Sequence, residues 1–218
     1  MTRTIAAFFI ALCAFTPAYA DDGANDLLAI QHEWAKIKYQ TPDEDMQKDQ
    51  IKALAANAEA VAGRHPGEAE YLVWQAIVLS TEAGIDGGLG ALGKVKEARK
   101  LLEKAEEIDP DVLNGAVPTS LGSLYYQVPG WPIGFGSNKK ARKYLEKAVA
   151  LNPNGIDANF FYGDFLYERG DYDAARQVLE RALKAEDRPD RPIADAGRRE
   201  EIQALLAKID AKGGTRSR

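Results

Sequence analysis

Apolar residues return every three or four positions through most of this chain, the spacing of one face of a helix and not the alternation of a strand. The first such stripe is Leu27, Ile30, Trp34 and Ile37, within Asp22 to Tyr39. Thr41-Pro42-Asp43-Glu44 then offers Thr41 as a cap, Pro42 for the first helical position and acids for the first turn, so a second helix is expected there. It carries Ile51, Leu54, Ala55, Ala58 and Val61 on one side and stops at Gly63-Arg64-His65-Pro66. Tyr71, Trp74, Val78 and Leu79 mark a third helix from Glu68 to Ala83, and Ala98, Leu102 and Ala105 a fourth from Lys94 to Ile108, with Pro110 after it. Between these two lies the glycine-rich Gly84 to Gly93, which reads as a lengthened joint.

The second half of the chain repeats itself. Ala141, Leu145 and Ala148 are matched by Ala175, Leu179 and Ala182. The return is about 34 residues, the period of stacked helical hairpins of the tetratricopeptide kind, whose first helix carries a glycine and aromatics and whose second carries the Ala, Leu, Ala stripe before a proline. Gly122 and Gly163 are the glycines of two such first helices, the later one reading Asn159-Phe160-Phe161-Tyr162-Gly163-Asp164-Phe165-Leu166. The fold expected is all-α: a solenoid of about four degenerate tetratricopeptide-like hairpins over residues 21–212.

Gly122 stands further before Ala141 than Gly163 stands before Ala175, and the excess falls on Pro129-Gly130-Trp131-Pro132-Ile133-Gly134-Phe135-Gly136. Prolines and glycines at this density forbid helix. Trp131, Ile133 and Phe135 are costly to leave in water, at about 1.5–3 kcal/mol for each large apolar side chain, so the loop is expected to pack against something. Beyond the last hairpin, Pro189 and Pro192 impose an extended stretch, and Ile202, Leu205, Leu206 and Ile209 form the apolar face of a C-terminal capping helix. Residues 213–218 are expected to be a frayed tail.

Composition adds an address. Arg3, the apolar run Ile5 to Phe15 and Ala18-Tyr19-Ala20 have the form of a cleaved signal peptide over residues 1–20, and the apolar run is too short to cross a bilayer. The single cysteine, Cys13, lies inside that run with Leu12 before it, which does not suit lipid attachment. A soluble periplasmic protein without disulfides or thiolate sites is expected. The formal net charge of −5, made more negative by loss of Arg3, argues against nucleic acid as a partner. No second stretch approaches the length of a membrane span.

Catalytic chemistry finds little footing. Gly88, Gly90 and Gly93 match the spacing of a dinucleotide-binding turn, but that turn needs a strand before it, and a helix precedes it here. His32 and His65 stand at no metal-ligand spacing, and no Gly-x-Ser-x-Gly elbow occurs. Neither enzyme activity, metal nor cofactor is expected. The inner surface, lined by the first helix of each hairpin, is the place to seek a binding site. There the third unit offers Thr119, Ser123 and Tyr126, and the fourth offers Phe160, Asp164 and Tyr167, a mixture of aromatics and a few polar groups suited to a small molecule.

The run LGSLYYQVPGWPIGFGSNKKARKYLEKAVALNPNGIDANFFYGDFL, the later RPDRPIADAGRREEI and the earlier GGLGALGKVKEA together resemble the T-component family of tripartite ATP-independent periplasmic transporters. The resemblance covers most of Tyr71 to Leu206, and its PGWPIGFG insertion is specific. It implies a periplasmic all-helical protein that docks a solute-binding protein, encloses a hydrophobic pore or cleft for an apolar ligand, and associates as homotrimers. Trp131, Phe135, Asn159 and Asp164 fall in the matching segments. The characterised T component is a lipoprotein, whereas this chain reads as freely diffusing. Two roles stay open at this point: docking a solute-binding protein or holding a hydrophobic ligand, and a general scaffold for proteins of the cell envelope.

Overall fold

The computed structural model describes residues 20–216, and among these described residues nine helices alternate along the chain as hairpins. They are α1 Ala20–Gln40, α2 Glu44–Arg64, α3 Ala69–Asp86, α4 Gly88–Ile108, α5 Val112–Gln127, α6 Asn138–Leu151, α7 Ile156–Glu168, α8 Tyr172–Leu183 and α9 Pro192–Arg216. The proposed signal peptide lies outside the described residues except for Ala20, the first residue of α1.

The repeat core follows the sequence period. Ala98, Leu102 and Ala105 of α4, Ala141, Leu145 and Ala148 of α6, and Ala175, Leu179 and Ala182 of α8 are all fully buried. Gly122 of α5 lies so close to α6 that a Cβ there would stand 2.6 Å from Leu145 Cγ, and a Cβ on Gly163 of α7 would stand 2.6 Å from Leu179 Cγ. Each glycine therefore sets how closely its two helices approach. A second apolar cluster joins Ile30, Trp34 and Ile37 of α1, Ile51, Leu54 and Val61 of α2, and Tyr71, Trp74 and Val78 of α3.

Local details depart from the sequence expectations. The cap of α2 is Asp43, whose carboxylate accepts from Met46 N at 2.7 Å, while Thr41 donates instead to Gln50 Oε1 at 3.0 Å. The glycine-rich stretch is not a long joint. α3 runs to Asp86 and α4 begins at Gly88, leaving Gly87 alone between them, with φ of 62°. Gly88 shares the left-handed backbone of this turn, with φ of 65°, and Lys94 holds the turn by pairing with Glu82 at 2.6 Å and with Asp86, so tertiary contacts override the poor helix propensity of Gly90 and Gly93. α5 is kinked at its start, where Leu113, Asn114 and Gly115 take left-handed φ values, and Thr119 donates back to the Gly115 carbonyl at 2.8 Å.

α9 does more than cap. Ile202, Leu205 and Ile209 pack in the same cluster as Leu179 and Ala182 of α8, and Ala194 reaches the cluster of α1 to α3. Gly197 lies against the Tyr39 ring, leaving no space for a Cβ. His32 Nε2 donates to the Asp190 carbonyl at 2.6 Å, Lys38 pairs with Glu201 at 3.0 Å, and Tyr39 donates to Glu201 at 3.2 Å. The last helix thus joins the first, closing the solenoid on itself. It continues past Gly213 to Arg216, into the stretch read from sequence as a frayed tail.

Candidate partner-binding site

The inner face is held together by the chain's own groups. Tyr126 of α5 donates to Asp164 Oδ2 of α7 at 2.5 Å, so two residues selected from the sequence meet, and Gln127 donates to the same phenol at 3.1 Å. Burial, with the carboxylate beside it, pushes the Tyr126 phenol well up, and burial raises Asp164 against the opposing Tyr126 hydrogen bond. Phe160 lies under the Arg198 guanidinium, 4.3 Å from its ring centre, and Arg198 also covers Phe161 at 4.8 Å. Tyr167 packs against Tyr172, with centroids 5.5 Å apart. Thr119 and Ser123 are buried and do not line an open surface.

Asn159, expected on the binding surface, is fully buried. Its amide donates to the Pro153 and Gly155 carbonyls at 2.9 Å each and its oxygen accepts from Arg181 Nε at 2.8 Å, so it fastens the α6–α7 connection. Beside it lies a charged network that the sequence reading did not identify. Asp157 accepts from Arg188 at 2.8 Å and Arg198 at 2.9 Å, Arg188 also grips Asp195, and Arg198 donates to Glu201. Burial acts to raise the Asp157 carboxyl, but Arg198 and Arg188 outweigh it and hold it well below the usual range. The cue in sequence was the density of arginines in RPDRPIADAGRREE, which read only as a linker and a cap.

The PGWPIGFG loop presents the opposite situation. Its neck is fixed by Gly136 N to Pro129 O at 3.0 Å and Ser137 N to Tyr125 O at 2.7 Å, and a Cβ on Gly136 would collide with the Val128 carbonyl. Phe135 anchors it, meeting Tyr125 edge-on at 5.7 Å and lying 4.5 Å from the Arg99 guanidinium. The other two apolar side chains do not pack as expected: Trp131 is 90% exposed and Ile133 is 66% exposed. The turn formed by Ile133 N and Gly134 N to the Gly130 carbonyl aims this tip outward.

Beside the loop stand cations. Lys96, Arg99 and Lys100 of α4 line a cleft of about 310 Å³ together with Pro132, Ile133 and Phe135. A second recess of about 330 Å³ on the loop's other side is lined by Tyr125, Tyr126, Pro129 and Asn138. Tyr144 of α6 donates to Glu106 of α4 at 3.2 Å, and Lys147 pairs with the same carboxylate, setting the two helices side by side. Burial and then Glu106 push the Tyr144 phenol up to about 12. α6 opens with Lys139, Lys140, Arg142 and Lys143 and no acid in its first turn, against the preference of a helix N-terminus. That inversion was the legible signal for a basic surface here. Among the described residues no cluster of His, Cys, Asp and Glu could hold a metal ion, and no helix is long and apolar enough to cross a membrane.

Comparison with known proteins agrees with this architecture. Residues 133–209 match one tetratricopeptide-repeat model and residues 89–112 match another. The structure of TTC0263, a thermophilic TPR protein of Thermus thermophilus, superposes with a TM-score of 0.62 at 20% identity, over 88% of this chain and 83% of that one. MamA AMB-1 gives a TM-score of 0.46 at 21% identity, over 88% of this chain and 96% of that one. No curated protein sequence matches the chain. The fold is thus an all-α tetratricopeptide-like helical repeat, a class of generally non-catalytic scaffolds for protein–protein interaction.

Proposed function

We propose that this chain is an exported, non-catalytic interaction scaffold that presents its α5–α6 loop to a partner protein. The observation that carries this reading is the exposure of Trp131, at 90%, on a loop whose neck is rigidly hydrogen-bonded. A large aromatic side chain kept in water by a fixed backbone has the form of an interface anchor. The tripartite form of Arg3, Ile5 to Phe15 and Ala18-Tyr19-Ala20 supports export, which places the partner among periplasmic or other envelope proteins.

The resemblance to transporter T components narrows that partner to a solute-binding protein, and its most specific segment is the exposed loop itself. The ligand-holding side of that resemblance has less support, because Phe160 is covered by Arg198 and Tyr126 is bonded to Asp164. Photocrosslinking in the native cell tests the docking reading, with p-benzoylphenylalanine replacing Trp131 in one strain and Lys52 on α2 in another. One dominant adduct from position 131 and none from position 52 is expected, and a solute-binding protein in that adduct selects the transport-linked role. No adduct from position 131 overturns the docking reading.

A further inference from the structure

Beyond naming a docking loop, the surroundings of that loop specify what it docks. We infer that the cleft between α4 and the α5–α6 loop receives an acidic segment of the partner, with an apolar side chain seated on Ile133 in the cleft and against the exposed Trp131 next to it in the loop. This rests on the docking reading above and adds the chemistry of the bound segment.

The first ground is charge. The chain carries a net −5, yet the groups around this loop are cationic. Lys96, Arg99 and Lys100 line the cleft, and Lys139, Lys140 and Lys143 follow directly on α6. Several cations elsewhere are committed, as Arg64 is to Asp26, Lys94 to Glu82, Arg176 to Asp210 and Arg198 to Asp157. Arg99 and Lys100 pair only with acids of their own helix, Glu103 at 3.3 Å and Glu97 at 3.1 Å. The exposed Lys100–Glu97 pair is worth little and exchanges readily for a better-placed carboxylate, while Arg99 is partly buried against Phe135. Among the described residues Lys96, Lys139 and Lys143 form no ion pair, so they remain free to face an anionic partner. A basic patch of this kind on an acidic protein steers acidic partners and repels basic ones.

The second ground is shape. Pro132, Ile133 and Phe135 line the cleft together with the cations, and Arg99 lies 4.5 Å from the Phe135 ring, so charge and apolar surface share one recess. A membrane surface asks for apolar tips projecting beyond coplanar cations. A cleft of about 310 Å³ lined by both cations and apolar groups instead fits a few residues of an extended chain in which acids and apolar side chains alternate.

Fluorescence anisotropy on the purified protein tests this with a labelled peptide alternating Asp or Glu with Leu or Phe. Two comparison peptides carry Lys for the acids or Ala for the apolar residues, and phosphatidylglycerol vesicles are a further probe. The alternating peptide is expected to bind best, about tenfold more weakly in the double variant Lys96→Glu, Lys100→Glu and more weakly as salt rises. Trp131→Ala is expected to weaken it by a similar factor while the melting curve stays unchanged. Equal affinity for the basic peptide, or full binding by the charge-reversed variant, overturns the acidic-segment inference. Crosslinking from position 131 would then still stand, so the two readings fail separately. Binding of vesicles in place of any peptide also overturns the inference and reassigns the surface to a membrane.

Discussion

The α5–α6 and α7–α8 hairpins are built on one plan and finished in two ways. Gly122 meets Leu145 in the first as Gly163 meets Leu179 in the second, at the same 2.6 Å for an added Cβ. The joint of the second hairpin is the short turn at Arg169 and Gly170, where Asp171 N returns to the Leu166 carbonyl at 2.9 Å. The joint of the first is the whole PGWPIGFG loop. Helix packing is thus indifferent to joint length, and the extra residues contribute one packed side chain, Phe135, to the fold. The hairpins also differ in their covering. α9 lays Arg198 over Phe160 and Phe161, closing the aromatic face of the second, while Trp131 of the first stays in solvent. One hairpin has its aromatic face covered and the other keeps its loop tip in solvent.

The sharpest way to break this comparison is to uncover the closed hairpin. Arg198 is 4% exposed, and Arg198→Ala removes its pairs with Asp157 and Glu201 and uncovers Phe160 and Phe161, although Arg188 still holds Asp157 and Lys38 still holds Glu201, so a loss of about 3 kcal/mol is expected by urea denaturation. The same network sets an acid limit. Because the folded Asp157 carboxyl lies below its unfolded value, the unfolded chain takes up that proton first as pH falls. The stability it supplies is complete above about pH 4 and is lost as pH drops through the carboxylate range toward its depressed value. Asp157→Asn should lower the Tm at neutral pH and flatten its fall between about pH 4 and pH 2. An equally steep acid limb in the variant would assign acid sensitivity to other groups.

Substitution at the two glycines comes next and asks whether the shared plan carries equal weight. Gly122→Ala and Gly163→Ala each force a methyl onto a fully buried leucine, and each is expected to cost about 1–3 kcal/mol, read as a lowered urea midpoint. Similar costs would show two equivalent hairpins. A much smaller cost at Gly122 would mean that the long loop lets α6 shift away.

Those glycines were also the most legible part of the molecule. Period and residue type together placed Gly122, Ala141 and Leu145, and again Gly163, Ala175 and Leu179, because a close helix crossing demands a small residue and leaves no alternative. Gly90 and Gly93 misled for the complementary reason. Their low helix propensity is local, and the Lys94 pairing with Glu82 that overrides it is tertiary. The inner face was half legible: Tyr126 and Asp164 do meet, but nothing in a linear reading shows that α9 returns to α1 and brings Arg198 over Phe160. Asn159 illustrates the same limit, since its three partners come from the α6–α7 connection and from Arg181 on α8. The loop was found by its composition, whereas its exposure depends on which neighbours stop short of it.

The smallest expected effect on stability is the most informative about function. If the PGWPIGFG tip were part of the core, Trp131→Ala would cost what burial of an aromatic side chain supplies, about 3–5 kcal/mol. With 90% of Trp131 and 66% of Ile133 in water, little apolar area is lost, and each alanine variant should shift the unfolding free energy by no more than about 0.5 kcal/mol. Phe135→Ala is the internal control, since it removes the ring held between Tyr125 and Arg99 and should destabilise by more than either. Denaturant melts of the three variants rank them directly. A Trp131→Ala loss as large as that of Phe135→Ala would turn the loop into a structural plug and erase the contrast between the two hairpins. A flat response at Trp131 and Ile133 beside a clear loss at Phe135 is what the docking proposal requires, since it removes a structural reason for keeping a tryptophan in water.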